Sequence, residues 1–338
     1  MDLNTVKAHL LYDFKTEHEL IAAIKTLSQN FTSSREKIED YLTSEKLISA
    51  YTAFYLLTNI PKLSAVFELT GFNLEDFKDF EIFDIGAGPG TFSLACLSIN
   101  PDLEIKLIEK SALMRKQAQL LLDGIFAKSS FEIFDENSSF EKSSKKRLGI
   151  FGHSSNEMGS ELTLKYIKKL ELDTILFIEP GTKEFFNQAL IMREELLKKY
   201  SIKFPCLSHN SCPLTEKDWC HQFVKVSHSV DLERISQILK MDRRNLPVIA
   251  HLYEKGGVVK DPVQSARVIR VYKPTKFSID WQICLSENEE NKIYDFQLLT
   301  RNYKKSEIKK MSEINAGELI HIRVTKTLEH NKLRGEIL

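Results

Sequence analysis

The sequence predicts an α/β chain in which a mostly parallel sheet carries helices on its faces, with a helical region before it and a cysteine-bearing, β-rich extension after it. Three observations predict this. From residue 80 onward short apolar runs alternate with helical patterns, as in a parallel sheet covered on both sides. One of these runs, Glu81-Ile82-Phe83-Asp84-Ile85, turns through Gly86-Ala87-Gly88-Pro89-Gly90-Thr91 into the helical stretch from Phe92 to Leu97. Beyond the sheet, Cys206, Cys212 and Cys220 place three of the chain's five cysteines within fifteen positions.

Residues 1–78 read as helical. Apolar positions recur at helical spacing from Glu17 to Ser28 and from Arg35 to Thr43, and the segment from Lys46 to Leu57 carries Leu47, Ile48, Tyr51, Phe54 and Tyr55. Its aromatic stripe reads as core packing, and Pro61 is expected to close it. Residues 79–200 supply the strands Ile82–Ile85, Ile105–Glu109, Phe131–Phe134, Leu148–Phe151 and Thr174–Ile178, the last followed by an amphipathic helix through Phe185, Phe186, Ala189 and Leu190. Residues 201–338 form a third region around the cysteines. It ends in the alternating run Gly317 to Lys326 and in Leu333 to Leu338, which predict a small antiparallel β unit. Its apolar face is expected to cover the cysteine region while Arg323 and Lys326 point outward.

At 338 residues the chain can bury one substantial core and a smaller one. Its 47 basic and 47 acidic side chains cancel, so no global field draws it to nucleic acid and any such contact needs a local patch. The first residues show no targeting pattern and no apolar run approaches eighteen residues, which predicts a cytoplasmic protein without a membrane partner.

The glycine loop is a ligand-binding pattern. Glycines let the backbone approach a ligand, and the helix that follows offers unpaired N–H donors. A second apolar run ends at Glu109, nineteen residues past Gly90, where an acidic side chain is placed for ribose hydroxyls. Gly86, Gly88 and Gly90 are each two apart and follow Asp84, whereas a dinucleotide loop spaces its last two glycines three apart to admit a pyrophosphate. The run resembles the first motif of class I S-adenosylmethionine-dependent methyltransferases, whose Rossmann-like fold it implies. By that resemblance Asp84, Gly86, Gly88 and Gly90 line the methionine moiety and Glu109 holds the ribose.

Clustered cysteines in so cysteine-poor a chain point to metal ligation in a reducing compartment, while Cys96, in the helix after the loop, reads as a buried apolar residue. After the fourth strand comes Gly152-His153-Ser154-Ser155-Asn156-Glu157-Met158, where class I methyltransferases place substrate-facing residues. Asn156 and Glu157 either orient an acceptor or cap the next helix. The segment lacks both a cysteine nucleophile and the Asn/Asp, paired prolines and aromatic of enzymes that methylate base amines, so no catalytic residue is assigned.

The fifth strand ends in Glu179-Pro180-Gly181-Thr182. Asp-Ile-Gly-Ala-Gly-Pro-Gly-Thr, Ser-Ser-Asn-Glu-Met, Glu-Pro-Gly-Thr, Cys-Pro-Leu and Asp-Trp-Cys-His, in this order, resemble the methyltransferase-like assembly factors of the mitochondrial small ribosomal subunit and their bacterial relatives, from about Leu47 to Cys284. That resemblance implies an iron–sulfur cluster of the 4Fe-4S type held by Cys206, Cys212 and Cys220, with Cys284 as the fourth ligand. Four thiolates also suit tetrahedral zinc, although spacings of six and eight are unlike the C-x2-C knuckles common at zinc sites. His209 and His221 are the possible substitutes for a ligand.

The resemblance implies a protein that acts on, or docks to, small-subunit ribosomal RNA, either as a methyltransferase or as a non-catalytic assembly factor; a zinc-bearing methyltransferase of a small molecule or protein is the alternative. This chain departs from its relatives at Gln222 to His228, where they carry an arginine-rich stretch, and at Met241 to Asn245, where they carry an acidic run. Its basic content lies instead at Arg267, Arg270, Lys273 and Lys276 and in the run from Arg301 to Lys310, including Lys304, Lys305, Lys309 and Lys310. Such a run is a solvated face or a set of phosphate contacts.

Overall fold

The computed structural model describes residues 1–33, 43–214, 218–256, 265–287 and 290–338. The chain opens with α1 (Leu3–Lys7), capped by Asp2, and α2 (Glu17–Ser33), whose Leu20, Ile24 and Leu27 are fully buried at the i, i+4, i+7 spacing of one helix face. The helix expected from Arg35 to Thr43 falls, but for Thr43, outside the described residues. Helix α3 (Glu45–Tyr51) is capped by Ser44 and runs through a π-helical turn, Thr52–Leu56, into α4 (Leu57–Thr70), which Gly71 ends in a left-handed conformation. Pro61 therefore does not close the segment as expected: it lies inside α4. The π turn just upstream shifts the hydrogen-bond register, which accommodates a residue that cannot donate.

The sheet follows as β1 (Glu81–Ile85), α5 (Thr91–Ile99), β2 (Glu104–Ile108), α6 (Ala112–Ile125), β3 (Ser130–Phe134), β4 (Arg147–Gly152), α7 (Ser155–Lys169) and β5 (Thr174–Pro180). Its five strands lie in the order β3-β2-β1-β4-β5, all parallel. Every residue of β1 is buried, as both faces of a parallel sheet are covered. Chain order runs outward in both directions from β1 and β4, so the loops after these two strands open side by side where an open α/β sheet binds ligands. The alternation of strands and helices predicts the parallel sheet, and this is the class I methyltransferase fold that the resemblance of the glycine loop implies.

Then come α8 (Lys183–Leu196), β6 (Tyr200–Phe204), β7 (Gln222–Lys225), α9 (Val230–Leu239), β8 (Asn245–Lys255), β9 (Ser265–Val271), β10 (Ser278–Glu287), β11 (Glu290–Leu299), α10 (Lys305–Met311), β12 (Leu319–Thr327) and β13 (Lys332–Ile337). The chain divides into two compact units. The first comprises Met1–Met158, Lys165–Ile178 and Val224–Leu246, and the second Gly159–Leu164, Glu179–Phe223 and Pro247–Leu338.

In the second unit β6 pairs antiparallel with β8, and β9 to β13 form a closed barrel in the order β10-β11-β13-β12-β9. Pairing is antiparallel except between β11 and β13. The small β unit is thus larger than expected, and the apolar residues of its last two strands do not serve as a cover for the cysteines. Closure turns them inward, where Trp281, Ile283, Phe296, Leu298, Ile322 and Leu333 pack on each other. Because Ile283 and Leu285 point into the barrel, Cys284 between them points out. Among the described residues no helix is long and apolar enough to cross a membrane.

Candidate cofactor loop and cysteine centre

The loop after β1 is built by two carboxylates. Asp84 is buried beneath it, with Oδ2 accepting from the Ser93 N–H at 2.9 Å and from its hydroxyl at 2.7 Å, which ties strand end to helix start. Burial pushes the Asp84 carboxyl up to about 6 against the pull of the two Ser93 hydrogen bonds. Glu109 accepts from the Gly88 N–H at 2.9 Å and from the Ser111 N–H at 2.7 Å, so it holds the loop and the start of α6 together. Burial raises its carboxyl as well, opposed by these same two bonds.

The glycines have separate jobs. All three have positive φ. A Cβ on Gly86 would stand 2.5 Å from Ser154 Cβ, so that position is reserved by packing, whereas a Cβ on Gly88 would meet no atom within 4 Å. Gly88 therefore faces free space, flanked by Glu109, which is the cradle a ligand needs at this loop. The residues present fit S-adenosylmethionine.

Beside this loop lies the end of β4. His153 holds the left-handed conformation at φ 59, rare for a residue with a side chain and a mark of a constrained site. Its Nε2 lies 2.8 Å from Nζ of Lys62, which is itself buried in α4. Burial, then the charges of Lys62 and Arg243, hold the imidazole well below its ordinary value, so it is neutral and accepts the lysine's hydrogen bond. Asn156 and Glu157 both fall in the first turn of α7, after the capping position Ser154. Glu157 is solvent-accessible yet crowded by protein, and that crowding, with the charge of Glu109, raises its carboxyl. Tyr51, stacked on Tyr55 at 5.5 Å, is within electrostatic reach of both carboxylates.

The second site belongs to the second unit. Cys206 follows β6, Cys212 and Cys220 lie between β6 and β7, and Cys284 is on β10; the four line one cavity of about 40 Å³, with Pro205, Pro213, Leu214 and Ile269 among its apolar walls. That space exceeds what a single water needs. Burial and the neighbouring cysteines push the Cys220 thiol well up and the Cys284 thiol up to about 12. Burial also raises Cys212. Without a cation among them these groups stay protonated, and a bound metal would deprotonate them.

Two buried arginines line the same cavity. Arg267, paired in register with Cys284, donates to the carbonyls of Pro205 and Gly317 at 2.9 Å each and lies within electrostatic reach of Cys206, Cys220 and Cys284. Arg193 donates to the Ser208 and Asn210 carbonyls. Cations so placed would offset the negative charge of thiolates holding an iron–sulfur cluster, so this donor set fits one. Among the described residues no three His, Cys, Asp or Glu side chains close on a point tightly enough for a single metal ion.

The histidine expectation changes here. His209 is exposed and His221 stacks on Trp219; neither lines the cavity, but His251 does. Burial, then Arg193, holds His251 down to about 3, with Tyr253 hydroxyl 3.0 Å from its Nδ1. Two residues of the basic content named from the sequence, Arg267 and Arg270, and also Arg243, are likewise committed within their own units. Arg267 is buried as described, Arg243 donates to Asn59 at 3.1 Å, and Arg270 pairs with Asp218 at 3.0 Å. Lys304, Lys305, Lys309 and Lys310 are exposed on and just before α10.

Among solved structures, the chain is similar to precorrin-6y C5,15-methyltransferase of Geobacter metallireducens, at 14% identity over 56% of this chain and 89% of that one, TM-score 0.36. It is also similar to magnesium protoporphyrin IX methyltransferase of Synechocystis PCC 6803, solved with bound SAM, at 10% identity over 69% and 97%, TM-score 0.36. No curated protein matches the chain. The family described as mitochondrial small ribosomal subunit Rsm22 matches residues 46–305, well over half of the sequence and spanning the glycine loop and all four clustered cysteines, and the chain belongs to that family.

Proposed function

We propose that this protein binds S-adenosylmethionine at the Gly86–Gly90 loop, carries an iron–sulfur cluster on Cys206, Cys212, Cys220 and Cys284, and docks on small-subunit ribosomal RNA. The observation that carries the reading is the convergence of the four cysteines, drawn from separate segments, on one cavity with two buried arginines. The ribosomal partner follows from the family. Bound S-adenosylmethionine would supply an electrophilic methyl group, and a bound cluster would cross-link segments of the second unit that the chain alone leaves joined by loops.

This chain's own residues favour docking over turnover. Glu109 and Asp84 fix the loop, Gly88 leaves room, and the Gly88 N–H is already spent on Glu109. The imidazole at the end of β4 is a weak base, because burial and the charges of Lys62 and Arg243 hold it well below its ordinary value and its Nε2 faces the Lys62 ammonium. A bound cofactor without a positioned base and acceptor gives affinity but no rate. The test compares ribosomal RNA modification by mass spectrometry between deletion and wild-type cells, alongside co-sedimentation of the protein with small-subunit particles. The docking reading expects co-sedimentation and no missing methyl group. A methyl group lost on deletion would make the protein an enzyme, and no co-sedimentation at low salt would remove the ribosomal partner.

A further inference from the structure

The barrel has a connectivity of its own meaning. Numbered within itself, its strands follow the order 1-2-3-5-4-1, the third and fifth are parallel, and a helix, α10, joins the third to the fourth. This is the five-stranded Greek-key barrel that binds oligonucleotides and oligosaccharides, where the loop between the first two strands borders the ligand face. Fold alone does not establish a function, so the loop itself must carry the argument.

That loop, between β9 and β10, ends in Phe277, which is 74% exposed. It is not loose. Phe277 N–H donates to Thr275 Oγ1 at 3.2 Å, its carbonyl accepts from Thr300 N–H at 3.0 Å, and the Thr300 hydroxyl donates to the Lys276 carbonyl at 2.8 Å. An aromatic ring is thus held out in water by a fixed backbone. Lys276 Nζ stands 5.9 Å from the ring centre. The ring borders a cleft of about 530 Å³ lined by Lys276, Leu299, Thr300, Arg301, Ile308 and Arg334. Gln297 Oε1 orients the Arg334 guanidinium, accepting from its Nη2 at 2.8 Å. Among the described residues no carboxylate lines the cleft or forms an ion pair with any of the three cations.

We infer that this cleft binds single-stranded RNA, with a base stacked on Phe277 and phosphates met by Lys276, Arg301 and Arg334. A presented aromatic face with cations around it suits an unstacked base, which a duplex does not offer. The choice of RNA over DNA rests on the ribosomal reading above; the single-strand preference stands on the presented Phe277 ring and the cations around it. Lys304, Lys305, Lys309 and Lys310 do not line the cleft, so of the basic run that stands out in the sequence only Arg301 is a contact.

The experiment is fluorescence anisotropy of the full chain with a labelled twelve-nucleotide oligouridine, the DNA oligomer of matching sequence, and an RNA duplex of the same length. Phe277→Ala is expected to weaken RNA binding about 5- to 150-fold, the range for one stacked base. The double variant Lys276→Ala, Arg301→Ala is expected to lower the slope of log affinity against log salt by about 1.4, at ~0.7 for each lost phosphate contact on a single strand. The quadruple alanine variant of Lys304, Lys305, Lys309 and Lys310 should stay within about twofold of wild type after extrapolation to a common salt concentration. All these side chains are exposed, and the fluorescence of buried Trp281 reports that the barrel remains folded. An unchanged affinity for Phe277→Ala, or a duplex bound as tightly as the single strand, would overturn the site. DNA bound as tightly as RNA would overturn its assignment to RNA. A wild type that co-sediments with small-subunit particles yet binds no oligomer would overturn this inference and leave ribosomal docking standing.

Discussion

Gly86 and Gly88 sit two residues apart in one loop, and the structure makes opposite demands on them. Both have positive φ, at 69° and 55°, so alanine at either costs about 1–2 kcal/mol from the left-handed conformation alone. At Gly86 the new methyl also stands 2.5 Å from Ser154 Cβ, on the chain leading into α7, and overpacking adds roughly 1–3 kcal/mol. At Gly88 it meets nothing of the protein. Gly86→Ala should therefore destabilise the first unit by about 2–5 kcal/mol and Gly88→Ala by only about 1–2 kcal/mol. Ligand binding should reverse the order: Gly88→Ala places a methyl in the cradle and should weaken S-adenosylhomocysteine at least ~10-fold, while folded Gly86→Ala keeps near-native affinity. Calorimetry measures the affinities. Urea unfolding followed by far-UV circular dichroism measures stability, and tryptophan fluorescence is an internal control because both tryptophans, Trp219 and Trp281, belong to the second unit. Native affinity in Gly88→Ala, or equal stability of the two variants, would refute the division of labour.

Protein prepared without oxygen should contain iron and acid-labile sulfide, and Cys284→Ser should lose most of both and melt at a lower temperature, since a ligand bound only by the folded state stabilises it; zinc without iron would transfer the site to the alternative metal. Asp84 should make the ligand-free protein more stable in acid. Its folded value of about 6 exceeds the ordinary 3.8, so proton binding contributes about 3 kcal/mol that is fully present below pH 3.8 and lost as pH rises through 6. Asp84→Asn should flatten that part of the stability profile, and an unchanged profile would show that the buried carboxyl does not titrate there. Glu81, buried between Lys106 at 2.7 Å and Arg147 at 2.8 Å, should cost roughly 3–5 kcal/mol when replaced by alanine, because a buried guanidinium is left without its counter-charge. A loss under 1 kcal/mol in urea titration would show that water or relaxation compensates.

Local signals determined the first unit. The strands β1 to β5 lie within two residues of where apolar runs place them, because each is a short buried run bounded by turns, and the glycine loop is readable because glycine takes three positive φ values in five positions without steric cost. The clustered cysteines were equally plain by their spacing. What the sequence does not contain is which distant residues meet. Lys62 and His153 are 91 positions apart, and neither has a pattern around it that marks a partner. Nothing in the sequence marks Arg193 or His251, and Arg267 reads only as part of the basic content, yet all three wall the cysteine cavity, because burial of a charged group depends on the elements packed over it rather than on its neighbours in sequence. The barrel shows the same limit. Alternation marked its last two strands, but closure, the parallel pairing of β11 with β13, and therefore the outward turn of Cys284 and the exposure of Phe277 depend on long-range strand register, which only the packed chain decides.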